Sequence, residues 1–291
     1  MPPAYHSACK GILIDSDHLP KESVFDGYAL LDTDIVIGVR GLRAYQEQNS
    51  KIVGGGNDGC YAVCNISEDR IEIDTDWAGN YPLFYYKNED YWAISNSFYL
   101  LSKHVFSQRK PIDVNEGLLN AWAIDTALFR QPCSHDTLIH QIKVLPKGAS
   151  IIASRSEFRV VYRTDNEVSA ETYETALKAA LTSCLQTIVT LHAAKGVSLS
   201  VPLSGGLDSR TVFSMFEWLR NSDEMRSGRQ FFKINSDTNP EAAEDYAIAS
   251  MITNARGLEL NGNPNPSPSV QMTPKDAVEA WRVNFLGIHG Q

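Results

Sequence analysis

The pattern of apolar and polar positions divides the chain into two parts near residue 165. In the first part, short segments rich in β-branched and aromatic residues alternate with turns of Gly, Asn and Asp. This alternation predicts an antiparallel sheet with strands at 34–39, 59–66, 70–74, 83–86 and 91–95. Apolar positions at helical spacing predict a helix at 115–127, and strands are expected again at 142–153 around the turn Pro146-Lys147-Gly148.

In the second part, helices and strands are predicted to alternate. Ser169 is expected to cap a long helix, because apolar residues follow it three or four positions apart, namely Tyr173, Leu177, Leu181, Cys184, Ile188 and Leu191. A strand, a loop and a helix come next, then a strand at 230–235 and a helix at 241–253. This order is typical of an open parallel sheet with crossover helices. We therefore expect two domains, at 1–165 and 166–291.

The most specific feature of the second part is a loop, residues 204–209, that joins an apolar strand to a helix predicted at 209–219. Its sequence is Ser204-Gly205-Gly206-Leu207-Asp208-Ser209, and we call it the Ser204 loop. Adjacent glycines permit positive φ angles and let main-chain N–H groups approach an anion without interference from a Cβ atom. The following helix adds unpaired N–H groups and the positive end of its dipole. Since parallel sheets bind ligands at the carboxyl ends of their strands, the loop is predicted to bind phosphate.

Polar side chains of the Ser204 loop indicate which phosphate compound it would bind. Ser204 and Ser209 supply hydroxyl donors, and Asp208 is the one carboxylate of the loop. A carboxylate suits a hydrated Mg²⁺ better than a phosphate, so the combination indicates a nucleoside triphosphate. No Gly-Lys-Ser/Thr follows, so this is not a Walker motif. The alternative interpretation is an ordinary glycine-rich turn, and Arg210 either reaches a phosphate or faces solvent.

The Ser204 loop resembles the SGGxDS signature of the ATP pyrophosphatase (PP-loop) families and looks most like the asparagine synthetase family. Residues 76–86, Asp-Trp-Ala-Gly-Asn-Tyr-Pro-Leu-Phe-Tyr-Tyr, are similar to the Asp-Arg-x-Gly-x-x-Pro-Leu-Tyr-Tyr segment of that family's N-terminal glutaminase domain. Residues 142–148 are similar to its Ile-x-x-Leu-Pro-x-Gly segment. Either segment alone could be a mere hairpin turn; their order and distances make them informative. The resemblance covers patches from about Gly59 to Asp245.

This resemblance implies a fold and a reaction. The fold would be an α+β glutaminase-like (Ntn-type) sheet domain followed by an α/β PP-loop domain with a parallel sheet. The reaction would use ATP and Mg²⁺ to convert a carboxylate into an acyl-adenylate and pyrophosphate, after which an amine displaces AMP to form an amide. The implied ATP-binding residues are Leu203, Ser204, Gly205, Gly206, Leu207, Asp208, Ser209 and Ile234, with Asp208 as catalytic residue and metal ligand. For Leu203 and Ile234, contact with adenine and a core position are both open.

Departures from the family change what is expected. The family's glutaminase uses an N-terminal cysteine whose free α-amine activates the thiol, but Pro2 stands in that place and the Asn-Gly-Glu segment is absent. Cys9 could act as the N-terminal nucleophile only if the eight residues before it were removed. We therefore expect no glutamine hydrolysis. No counterpart of the family's later acidic motif and lysine precedes Gln291, which indicates a fragment or a shortened member.

Three kinds of function remain open after these departures. The first is an amide ligase that uses free ammonia or an amine of its own substrate. The second is a cyclising enzyme similar to the β-lactam and lasso-peptide macrolactam synthetases, and the third is a truncated non-catalytic paralogue that acts as a binding partner. A tRNA-modifying PP-loop enzyme is disfavoured, because neither a basic surface nor a catalytic cysteine pair is evident.

Charge and composition limit the classes of binding partner that we expect. The net charge of -9 and the lack of a basic patch argue against nucleic acid. The five cysteines show no metal-site or disulfide-framework spacing, and no apolar run is long enough for a membrane span or a signal peptide. We expect a cytoplasmic protein that acts on a small-molecule or peptide carboxylate and an amine donor. Glu241, Glu244 and Asp245 resemble an acidic run of the family, but we interpret them as residues that complement a helix dipole.

Overall fold

The computed structural model describes residues 12–31, 34–123, 134–163, 172–194, 196–222, 230–238, 240–263 and 273. These residues form two compact units: the first contains nearly all of those between 12 and 163, and the second those between 172 and 263. Both units mix helices and strands. Pro2, Cys9, Ser169 and the segment around 276–285 lie outside the described residues.

The first unit contains two sheets and three helices. Its strands are β1 (Leu13–Asp15), β2 (Val24–Leu31), β3 (Asp34–Ile37), β4 (Asp58–Ser67), β5 (Arg70–Thr75), β6 (Phe84–Lys87), β7 (Trp92–Ser95), β8 (Ile142–Val144), β9 (Ala149–Ala153) and β10 (Phe158–Tyr162). Its helices are α1 (Gly38–Asn49), α2 (Phe98–Ser107) and α3 (Glu116–Ala123). The sheet orders are β1-β7-β6-β8 and β10-β9-β5-β4-β2-β3. Pairing is antiparallel throughout the first sheet and from β10 to β2 in the second.

These elements stack in four layers because neighbouring residues of each strand point to opposite faces. Ala62 and Cys64 of β4 join the core between the two sheets, together with Ile94 of β7. Tyr61 and Val63, which alternate with them, pack instead with Leu42 of α1. On the far side of the four-stranded sheet, a third cluster joins it to α2 through Phe84, Tyr86, Ala93, Phe98, Leu101 and Val105. The layers are therefore α1, the six-stranded sheet, the four-stranded sheet and α2.

The five strands predicted for this part are all present, with ends shifted by at most two residues. One segment differs in kind: the pattern predicted a strand at 34–39, but β3 ends at Ile37 and α1 begins at Gly38. Gly38 has φ of 60°, in the left-handed region that favours glycine, so the strand stops there. The predicted helix at 115–127 is seen as α3, and its last four residues lie outside the described ones.

The turn that begins at Asp76 is built on a fully buried carboxylate. Oδ1 of Asp76 accepts the N–H of Asn80 at 2.9 Å, and Oδ2 accepts the N–H of Tyr81 at 2.8 Å. Gly79 closes the turn with φ of 71° and donates its N–H to the Asp76 carbonyl at 3.2 Å. The spacing of Asp and Gly in this segment is therefore explained by local structure.

The two segments that resemble a glutaminase domain are neighbours in this unit. β6 pairs with β8 in antiparallel register, with Phe84 opposite Val144. The N–H of Leu145 donates to the carbonyl of Leu83 at 2.7 Å. Nζ of Lys147 lies 4.0 Å from the centre of the Trp77 ring, a cation–π contact. Attribution of this unit to the Ntn type stays a prediction.

We predict that Asp76→Ala lowers the free energy of unfolding by about 2 kcal/mol, because the buried N–H of Tyr81 loses its acceptor. Asp69→Ala is the control: Asp69 is exposed in the turn between β4 and β5, and we expect a change within about 0.5 kcal/mol. Denaturant unfolding followed by circular dichroism measures both. Equal effects of the two substitutions would show that the Asp76 carboxylate does not hold this turn.

The second unit has a three-stranded parallel sheet. Its elements are α4 (Tyr173–Ala193), β11 (Ser200–Pro202), α5 (Leu207–Arg220), β12 (Lys233–Asp237), α6 (Ala243–Arg256), preceded by one 3-10 turn, and β13 (Leu260–Asn263). The sheet order is β11-β12-β13, with both pairs parallel. The predicted alternation is therefore seen, while attribution to the PP-loop fold stays a prediction. Among the helices that the structure describes, none is both long and apolar enough to cross a membrane.

Helix α4 starts later than expected and buries less of its apolar stripe. Thr172, rather than Ser169, is the N-cap, and its side chain accepts the N–H of Thr175 at 3.3 Å. Of the six stripe residues, Ile188 is buried in the core, whereas Tyr173 and Leu177 are exposed. Among the described residues, the predicted apolar stripe therefore packs against the core only near the C-terminal end of α4.

Helices and strands of the second unit share one hydrophobic core. Buried members include Ile188 of α4, Val201 of β11, Phe213 and Phe216 of α5, Ile234 of β12 and Ala249 of α6. Ser236, on the same face of β12 as Ile234, is 4% exposed, and its Oγ has no hydrogen-bond partner among the described residues. A buried hydroxyl without a partner costs free energy.

We predict that Ser236→Ala raises the free energy of unfolding by about 1 kcal/mol, since the substitution removes a buried, unpaired hydroxyl. The matched control is Ser200→Ala in the neighbouring strand. Ser200 is exposed, and its Oγ accepts a hydrogen bond from Nδ2 of Asn235 at 2.6 Å. That change should be neutral or slightly destabilising. Thermal and denaturant unfolding of both variants checks the sign, and destabilisation by Ser236→Ala would show that its hydroxyl is satisfied.

Candidate functional site

The Ser204 loop follows β11 at the carboxyl edge of the parallel sheet. Pro202 is opposite Asn235 of β12, and the N–H of Leu203 donates to the Asn235 carbonyl at 2.8 Å, so the strand pairing continues up to the loop. Helix α5 begins at Leu207, two residues earlier than the sequence predicted. The loop is therefore fixed at one end by the sheet and at the other by the helix.

Two hydroxyl groups hold the loop closed on itself. Oγ of Ser204 and Oγ of Ser209 are 2.9 Å apart, and Oγ of Ser209 accepts the N–H of Ser204 at 3.1 Å. Oγ of Ser204 in turn accepts the N–H of Gly206 at 3.2 Å. Both predicted hydroxyls thus lie together at the start of α5. They serve as internal contacts of the loop, and they are close enough to its amides to share a ligand with them.

The two glycines of the loop have backbone angles that other residues also adopt. Neither has the positive φ that the sequence suggested: Gly206 has φ of -71° and Gly205 is not in the left-handed region. Instead, a Cβ atom on Gly205 would lie 2.7 Å from Oδ1 of Asp245 and 2.7 Å from Cδ1 of Ile248. The expectation of positive torsions is wrong; a Cβ atom at 205 would instead require the ends of these two α6 side chains to move.

The start of α5 presents unpaired donors beside an unpaired carboxylate. Gly206 is the N-cap, and no side chain caps the helix, so the N–H groups of Leu207, Asp208 and Ser209 have no acceptor within it. Leu207 is 72% exposed and Asp208 is also exposed. The Asp208 carboxylate makes no hydrogen bond or ion pair to any residue that the structure describes. This end of the helix can therefore receive an anion, and the carboxylate beside it is available to a cation.

Two charged residues contact the loop in ways the sequence did not settle. Oδ1 of Asp245, in the first turn of α6, accepts the N–H of Gly205 at 2.8 Å. The sequence pattern alone assigns Asp245 to the dipole of α6 and does not predict its contact with the loop, although its place in an acidic run after the second strand is a signal for it. Nε of Arg210 donates to the Gly206 carbonyl at 3.2 Å, which turns the guanidinium away from the loop amides.

The two predicted adenine contacts are core residues in this structure. Leu203 is 1% and Ile234 is 0% exposed, and both pack in the core of the second unit. A nucleotide lying over the edge of the sheet would meet their main-chain atoms rather than their side chains. Their contribution to adenine binding stays a prediction.

A groove of about 870 Å³ runs along α5 and α6 beyond the loop. Its lining includes Arg210, Trp218 and Arg256, but no residue of the Ser204 loop itself. We place the candidate site at the loop rather than in this groove, because the unpaired amides and the free carboxylate are at the loop. Arg210 is the residue that borders both.

The described cysteines of the first unit are poor nucleophiles. Burial raises the pKa of the Cys64 thiol to about 12, and burial together with the charges of Asp76 and Asp26 raises the pKa of Cys60. Both thiols are therefore protonated near neutral pH. A thiolate is the nucleophilic form, so neither side chain is activated where it stands.

The first unit also contains a carboxylate–imidazole cluster that the sequence did not predict. Oδ2 of Asp15 lies 3.0 Å from Nε2 of His104, and Oδ1 lies 3.0 Å from Nδ1 of His18. Burial alone would raise the pKa of Asp15, but hydrogen bonds from His18 and from the N–H of Asp17 outweigh it and lower that pKa. The Tyr91 hydroxyl lies 2.7 Å from the same Nε2 of His104. The cluster connects β1, which contains Asp15, with α2, which contains His104.

Comparisons with known proteins add no assignment: no family model matches the chain, and no curated protein matches it. Among the described residues, no group of three or more His, Cys, Asp or Glu side chains is arranged to hold a metal ion by itself.

We predict that Ser209→Ala loosens the loop and lowers the free energy of unfolding by about 1 kcal/mol, because the Ser204 N–H loses its acceptor. The matched control is Ser214→Ala in the same helix, an exposed serine whose Oγ only donates to the Arg210 carbonyl at 2.7 Å. Amide hydrogen exchange at Ser204 should rise in the first variant alone. Unchanged exchange would mean that the hydroxyl pair does not order the loop.

Proposed function

We propose that the second unit binds ATP with Mg²⁺ at the Ser204 loop and that the protein is an AMP-forming carboxylate–amine ligase of the asparagine synthetase type. The observation that carries the proposal is the start of α5, where uncapped N–H groups and the free Asp208 carboxylate lie side by side at the carboxyl edge of a parallel sheet. The resemblance of the loop to the SGGxDS signature supplies the reaction class.

The loop fits the phosphates of ATP by the chemistry of its donors. The amides of Gly205 and Gly206 and the hydroxyls of Ser204 and Ser209 would hold the two phosphates that leave as pyrophosphate. Several fixed donors around one anion stabilise the charge that develops as the leaving group departs. The two hydroxyls and the Gly206 amide are ordered by contacts within the loop, whereas the Gly205 amide is bonded to Asp245 and would have to be released before it could bind a phosphate.

In the proposed reaction ATP is a substrate. A carboxylate oxygen of the second substrate attacks the α-phosphorus, the bond from that phosphorus to the bridging oxygen breaks, and pyrophosphate leaves. The nitrogen of an amine then attacks the acyl carbon, the bond from that carbon to the phosphate oxygen of AMP breaks, and AMP and a proton are released, which leaves an amide. The protein's contribution to both steps is mainly positioning and charge neutralisation.

Asp208 is the residue that would hold Mg²⁺. Its carboxylate is exposed, has no competing partner in the described part of the chain, and belongs to the turn that would carry the phosphates. The ion would neutralise charge on the phosphate oxygens. We place the reaction in the cytoplasm, where ATP is supplied and the free thiols Cys60, Cys64 and Cys184 stay reduced.

We predict that Asp208→Ala weakens binding of MgATP by about tenfold or more, because the metal loses a carboxylate ligand next to the phosphates. Isothermal titration of the full chain measures the affinity, and pyrophosphate release in the presence of carboxylates and ammonia measures the reaction. Glu244→Ala, an exposed carboxylate on α6 without a contact to the loop, is the control. Equal affinities of wild type and Asp208→Ala would refute the assignment of Asp208, and a wild type that takes up no MgATP would refute the ligase.

A further inference from the structure

Gly205 already donates its amide to an anionic oxygen of this chain. The acceptor, Oδ1 of Asp245, is 2.8 Å away and comes from a residue forty positions later. Asp245 is exposed, and it forms no ion pair with any cationic side chain in the described residues. The Gly205 amide therefore already donates a hydrogen bond to an anionic group. The Asp245 carboxylate lies where a phosphate oxygen would have to bind.

The carboxylate and a phosphate cannot share this donor. One N–H supports one strong hydrogen bond, and the position of a Cβ on Gly205, 2.7 Å from Asp245 and from Ile248, shows how closely α6 packs on the loop. A carboxylate held beside a polyphosphate would also repel it. Binding of ATP by the Gly205 amide thus requires Asp245 to leave.

A divalent cation gives the displaced carboxylate a place to go. Mg²⁺ prefers oxygen ligands and keeps several waters, so a carboxylate at the edge of the site can bind it directly or through water. We propose that Asp245 makes nucleotide binding magnesium-dependent: its carboxylate leaves the Gly205 amide for the hydrated Mg²⁺ that ATP carries, and the amide N–H then donates to a phosphate oxygen. This inference rests on the proposed function and adds a second acidic residue, beside Asp208, to the same site.

The test compares free ATP, in EDTA, with MgATP by isothermal titration of the full chain. Wild type should bind MgATP about tenfold or more tightly than free ATP. In Asp245→Ala, free ATP should bind about fivefold tighter than to wild type and MgATP more weakly, so that the magnesium preference falls about tenfold. Glu244→Ala makes the same charge change one residue away and should leave the preference unchanged.

A readout that needs no nucleotide accompanies the titration. Exchange of the Gly205 amide hydrogen, measured by NMR, should be slow in wild type and about tenfold faster in Asp245→Ala, because the acceptor is gone. Asp245→Asn keeps an acceptor oxygen without the charge, so it should retain slow exchange and still lose most of the magnesium preference. Circular dichroism verifies that each variant is folded.

The outcomes separate this inference from the proposed function. If Asp245→Ala changes the affinities for free ATP and MgATP by the same factor, or changes neither, Asp245 has no link to the metal and the inference is overturned while the loop remains an ATP site. If wild type binds neither form of ATP, both proposals fall together.

Discussion

The parallel pairing of β11 with β12 is the constraint on which the candidate site depends. It places the Ser204 loop at the carboxyl edge of the sheet, and it extends to Leu203, whose N–H is bound to β12. Because the chain turns directly from that point into α5, the first N–H groups of the helix point to the same edge. A shift of one residue in this register would reverse which side chains are buried, since Val201, Leu203 and Ile234 all face the core.

The same packing that builds the core limits what the site can do. Leu203 and Ile234 are needed to anchor the edge of the sheet, so they offer a ligand their backbone only. In the proposed site, the groups that would bind a ligand are those that do not pack in the core: the loop amides, two hydroxyls and the exposed Asp208. The first unit shows the converse case, because the buried carboxylate of Asp76 is used entirely to satisfy turn N–H groups. A motif residue can thus be explained by its turn alone, whatever role the segment has in proteins it resembles.

Strand positions and the place of the loop could be predicted from the sequence because they depend on local patterns. Alternation marked the strands at 59–66 and 70–74, and the glycine pair marked the turn between β11 and α5. Contacts between distant residues could not be predicted. Nothing in the local pattern shows that Asp245 accepts a hydrogen bond from the Gly205 N–H. The pattern also does not show that the predicted strand ends at Ile37 and that α1 begins at Gly38. The stripe of α4 shows the limit of periodicity, since spacing predicts a face but not the partner that covers it.

The packing around Gly205 links the loop's geometry with its electrostatics. The φ values of the loop glycines are ordinary, and the side chains of Asp245 and Ile248 approach Gly205 closely enough that they would have to move if it carried a Cβ. That approach brings a negative charge onto an amide at the positive end of α5, where an anion is favoured. The Asp245 carboxylate therefore occupies a donor of the loop and orders it. In the proposed ATP site this order would lower the entropic cost of binding, whereas the negative charge of Asp245 would raise the electrostatic cost. A cation that neutralised this charge would lower the electrostatic cost and keep the loop ordered.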